Sequence, residues 1–106
     1  MWLSAADVVS LMSLREASPN IVNEAMACDA AVVGVSVGDV AWLLEGVANS
    51  RLCSYEVKSV AGGIAEVLAA KSRAGRERIS ALALDADSVA GKLETLYVKI
   101  LKRRSP

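Results

Sequence analysis

The chain has 106 residues, 54% of them apolar, with Lys+Arg and Asp+Glu equal at 12 and no histidine. That length suits one domain around one modest core, and zero net charge gives no general electrostatic pull toward nucleic acid or an anionic membrane. Without histidine there is no Ser-His or Cys-His nucleophile pair, and the lone Cys28 and Cys53 make no zinc cluster and read as reduced core residues, so neither metal nor cofactor is expected.

From the N-terminus, residues 6–13 form a short apolar run with the length of a strand buried on both faces. Ser18-Pro19 then opens a helix, Ser18 suiting the N-cap and Pro19 the first helical position, where its missing N–H costs nothing. Ile21, Val22, Ala25, Met26 and Cys28 give that helix an apolar stripe, which Asp29-Ala30 ends. A second buried strand, rich in β-branched residues, covers 31–35. Gly38-Asp39 is a turn, with Asp39 suited to cap a short helix over 40–45, and a brief third strand covers 51–53.

From Val57 the period becomes helical. Val57, Val60, Ala61, Ile64, Val67 and Leu68 repeat every 3.6 residues, and Gly62-Gly63 inside that helix calls for close packing to offset its cost. Residues 76–84 make a short helix. Asp85 to Ser88 offer caps for a last one, with Val89, Leu93, Leu96, Tyr97 and Ile100 on one face. The basic end, Lys102-Arg103-Arg104, complements the helix dipole. Strands alternating with helices imply an α/β fold: a half Rossmann-like unit of three short parallel strands with flanking helices and a helical C-terminus, in one domain spanning 1–106. No apolar run approaches the ~20 residues of a membrane span, and the N-terminus lacks a signal peptide's basic and apolar regions, so a cytoplasmic location is expected.

The loop that ends a parallel strand and opens a helix is where α/β sheets bind ligands, and free N–H groups at a helix start suit a phosphate. Glu16 lies just before the helix. Glu24 lies two turns into it, with Asn20 four residues earlier on the same side. Carboxylates accept hydrogen bonds from sugar hydroxyls, so a helix start flanked by two of them has the chemistry of a nucleotide-sugar site. By spacing alone, the same pair is also what two solvated surface carboxylates look like.

Ser13, Glu16, Glu24, Ala25-Met26-Ala27-Cys28, Val32-Val33 and Gly38, in this order and spacing, resemble the C-terminal domain of retaining GT-B glycosyltransferases of the group 1 type, over residues 5–45. Residues 51–101 resemble that family's closing strand and C-terminal helices more loosely. The resemblance implies that Glu16 contacts the donor sugar and Glu24 the ribose. It places the backbone around Ser18, Pro19 and Asn20 beside the sugar and phosphates. The family's usual glycine after the first glutamate is Ala17 here, and Asp29 and Ala31 stand where glycine and proline are usual around the next strand. The resemblance also implies a partial donor domain that lacks its acceptor domain and the basic residues facing the diphosphate. The expected function is therefore weak nucleotide-sugar binding without transfer activity. The alternative is a non-catalytic α/β module that binds itself or a partner.

In the complete family fold the first strand of this chain has a further strand beside it. Residues 7–12 should therefore form an exposed sheet edge. The expected association is a two-fold homodimer pairing these edges antiparallel into a six-stranded sheet, with the last helix at the same contact.

Overall fold

The computed structural model describes residues 2–104, the side chain of Arg104 excepted. Its element order is α1 (Trp2–Ala5), β1 (Val8–Leu11), α2 (Asn20–Ala27), β2 (Ala31–Val35), α3 (Val40–Leu44), β3 (Arg51–Cys53), α4 (Val57–Ala70), α5 (Arg76–Ala81) and α6 (Ala86–Arg104). The three strands form one parallel sheet in the order β1-β2-β3. Val8 pairs with Ala31 and Leu11 with Gly34, and Val33 pairs with Arg51. This is the α/β unit the alternating pattern implies.

The central strand explains the choice of residues. All five positions of β2 are buried, because neighbours lie on both edges and helices on both faces. One side of the sheet carries most of the core: Leu11, Val22, Met26, Val32, Val40 and Leu43 pack there with α2, α3 and Ile79 of α5. The other side is thinner, with Ala31, Val33 and Val67 buried and Val8, Met12, Cys53 and Ile64 around them under α4 alone. On the first side α2 and α3 lie against the strands, with α5 packed on α2, whereas α4 alone covers the other side.

Several expectations need correction. α1 carries no periodic signal, yet Leu3 packs on the main core and the Ala6 N–H closes the turn onto the Trp2 carbonyl at 3.0 Å. β1 is four residues long, not eight, and only Leu11 in it is buried, because nothing pairs with its outer edge among the described residues. The helix start lies one residue later than Ser18-Pro19 implies. Pro19 is the N-cap, with φ −71° and ψ 113°, and Ser18 lies outside the helix. Ile21 and Cys28 are not on the buried stripe of α2, which is Val22, Ala25 and Met26. Asp39 occupies the N-cap of α3 but makes no capping hydrogen bond. On α4 the buried positions are Gly63 and Val67, while Val57 is 83% exposed.

The last helix departs most from a compact picture. Every described side chain from Val89 to Arg103 is exposed. The molecule measures 62 × 25 × 23 Å and has a radius of gyration of 16.8 Å, against about 13 Å for a compact chain of this length. No helix is long and apolar enough among the described residues to cross a membrane.

Candidate functional site

Parallel strands all end on the same side of a sheet, so the loops after β1, β2 and β3 meet at one end. Two contacts fix the loop of residues 12–19 there. The Tyr55 hydroxyl, just past β3, donates to the Ser13 carbonyl at 2.7 Å. The Asp39 N–H, at the start of α3, donates to the Ala17 carbonyl at 3.0 Å.

The second contact depends on Gly38. This residue has φ +54°, and a Cβ added to it would fall on the Ala17 carbonyl oxygen and within 2.8 Å of the Glu16 carbonyl oxygen. Only glycine allows the two loops to pack backbone to backbone here. The residue is part of the motif that spans 13–38, so its presence is tied to the position of Glu16.

The remaining motif residues fall as follows. Glu16 and Ser18 are exposed on the loop, Pro19 is buried, Asn20 is the first residue of α2, and Glu24 is exposed one turn further on. All five therefore lie on one loop and the helix that follows it. The helix start at Asn20 receives no side-chain cap; the Val22 N–H donates to the Pro19 carbonyl at 3.0 Å, and the N–H groups of Asn20 and Ile21 before it are the ones an anion would meet. Four concavities of about 350–420 Å³ are present. None of these four is lined by Glu16, Ser18, Asn20 or Glu24. The site is an exposed shelf of loop and helix start carrying polar groups.

Two polar atoms beside this shelf escape sequence reasoning. Asn23 Oδ1 on α2 and Asp39 Oδ1 at the head of α3 are buried without a hydrogen-bonding partner. Both are acceptors, and Asp39 adjoins the loop through its N–H to Ala17. A buried acceptor without a donor costs free energy, and a hydroxyl-bearing ligand or ordered water relieves it. The helical pattern marks Asp39 only as a cap and Asn23 as an ordinary polar residue, so neither stands out in the sequence.

Asp29, where the family pattern favours glycine, has a structural task. It adopts φ +55° directly after α2. Its N–H donates to the Met26 carbonyl at 2.9 Å, and the Ala30 N–H donates to the Ala25 carbonyl at 2.9 Å, which is the Schellman closure of a helix. Its Oδ1 also accepts the Arg76 N–H at 2.9 Å at the head of α5, a bond glycine cannot make.

Cys28 and Cys53 are both free thiols, one at the end of α2 and the other on β3. No group of three or more His, Cys, Asp or Glu is placed to hold a metal ion among the described residues. No protein-family model, curated protein or solved structure matches the chain.

Proposed function

We propose that the chain carries part of a nucleotide-sugar donor site of the glycosyltransferase kind, and that these 106 residues bind such a ligand weakly without transferring the sugar. The observation that supports this reading most is the docking of the Glu16–Ala17 backbone on Gly38. It keeps Glu16 on the loop that follows β1, beside the loop after β2, and the strand-end loops of parallel sheets are where such folds commonly take ligands. The α2 start supplies N–H groups for phosphate. Glu24 accepts from ribose hydroxyls, and Glu16 accepts from the sugar. Arg15 is the single cation between Met12 and Glu24. This loop therefore brings one positive charge toward a departing diphosphate, too little to supply the charge stabilisation such catalysis rests on.

Calorimetric titration of UDP, GDP and their sugars checks this assignment. Glu24→Ala should weaken binding of the diphosphates alone, whereas Glu16→Ala should matter only once a sugar is attached. Affinities unchanged in both variants would return the pair to solvated surface carboxylates.

A second reading is favoured by a different observation: the chain is self-associating, a homodimer with the β1 margin and α6 at the contact. Its accessible surface is 7114 Å², whereas a compact 11.1 kDa monomer has about 5,650 Å². The difference exceeds the roughly 800 Å² that one partner buries in a standard interface.

A further inference from the structure

The face of the sheet under α4 is only partly covered. α4 lies over β2 and β3, which leaves β1 beside a groove lined by Met12, Tyr55, Val57, Val60, Ala61 and Ile64, with a volume of about 360 Å³. The register puts Ser10 on this same side, opposite Val33, and Ser10 is exposed. A parallel sheet ordinarily has helices over both faces, so the groove has the form of a vacant helix position.

α6 is a helix without a position. It has no buried residue among those described, yet it carries Val89, Leu93, Leu96, Tyr97 and Ile100 at i, i+4, i+7, i+8 and i+11. The α4 margin repeats at Val57, Val60, Ala61, Ile64 and Leu68, also over eleven residues. Two stripes of equal length, each about 17 Å long at 1.5 Å per residue, lie on different parts of one chain, the α6 stripe exposed throughout and the α4 stripe exposed or half-buried.

We propose that α6 of a second copy lies antiparallel to α4 in this groove, and that the exchange is reciprocal. This inference rests on the self-association reading and names the surface that reading requires. Charge sets the direction. α6 begins with Asp85 and Asp87 and ends with Lys99, Lys102 and Arg103, while the groove has Glu56 at the head of α4 and Lys71 and Arg73 beyond its tail, with Asp7 beside them. An antiparallel helix brings each acidic end to a basic one. Lys58 does not disturb this, because it lies on the Gly62–Glu66 side of α4.

The chief competitor is pairing of α6 with α6. With Val89, Leu93, Leu96 and Ile100 at the seam, the flanking positions include Lys92 and Lys99 with no acidic partner opposite, and like charges at those positions oppose association. The antiparallel alignment centres Leu96 over Ala61 and Leu93 over Ile64. Edge-to-edge pairing of two β1 strands competes as well. Paired edge strands lie about 4.8 Å apart, whereas packed helices need about 8–10 Å between their axes, so the helices flanking two paired β1 edges would crowd one another.

Sedimentation of the full chain at micromolar concentration, with Leu96→Glu and Ala61→Glu, tests this. Both sites are exposed, so both variants should keep the wild-type circular dichroism spectrum. Each should raise the dimer dissociation constant at least about tenfold. A photo-crosslinking phenylalanine analogue at Leu93 should capture residues 57–68 of the second copy. A wild-type monomer at every concentration would overturn this inference and the self-association reading together. A dimer indifferent to Ala61→Glu, or one whose crosslinks fall on α6 or β1, would overturn the groove alone.

Discussion

At the residue scale, Gly38 carries the largest consequence. Gly38→Ala combines a left-handed backbone with a Cβ placed on the Ala17 carbonyl, and should cost about 2–4 kcal/mol in chemical denaturation while displacing residues 16–18. Asp85 is a second instance of one side chain fixing local structure. Its Oδ1 accepts the Ser88 N–H at 2.9 Å and its Oδ2 accepts the Ser88 hydroxyl at 2.7 Å, closing the first turn of α6. The Ser88 hydroxyl, then its backbone N–H, hold the Asp85 carboxyl below its ordinary value of 3.8. The folded group binds its proton less readily than the unfolded one. Its contribution is therefore present above that ordinary value and lost as pH falls through the lower folded value. The Ser88 amide resonance should follow this titration, and Asp85→Ala should abolish it and fray the first turn at neutral pH as well. The cap was legible in the run Asp85 to Ser88. The left-handed Asp29 was legible as a helix stop, but its bond to Arg76 joins residues 47 apart and leaves no local trace.

At the scale of elements, the strand β2 could be read from its continuous apolar run and the helices α2 and α4 from periodicity, because burial dictates both patterns; α6 shows a helical period although none of its described residues is buried. What failed were faces and ends. The period of α4 is uniform from Val57 to Leu68, but only one side meets the sheet, and nothing in the sequence says that a single helix serves that face. α1 is too short for a period to emerge. The Gly62-Gly63 pair divides in the same way. A Cβ on Gly63 would collide with Cys53 Sγ and press to 3.3 Å on Val33 Cγ1, whereas one on Gly62 meets nothing within 4 Å. Close packing therefore accounts for Gly63 and not for Gly62. Gly62→Ala should stabilise the fold by about 0.5–1 kcal/mol, and Gly63→Ala should destabilise it by about 1–3 kcal/mol. Thermal melts of the two variants would show opposite shifts.

At the scale of the whole molecule, the chain is a small α/β body with a long helix, α6, exposed at every described residue from Val89 to Arg103. The candidate site occupies the opposite concern: a polar shelf at the strand ends, held by contacts among three loops. Its residues were legible as a motif because they lie within 26 consecutive positions, from Ser13 to Gly38. The supporting Tyr55 and the orphaned Asn23 and Asp39 were not, since their significance arises only when the loops meet. The most direct test of the proposed function is an amide chemical-shift map of the isotope-labelled chain titrated with UDP- and GDP-sugars. The account predicts saturable shifts concentrated at residues 15–24 and 37–40, with Asn23 and Asp39 among them. Saturable shifts elsewhere, or none up to millimolar ligand, would contradict it.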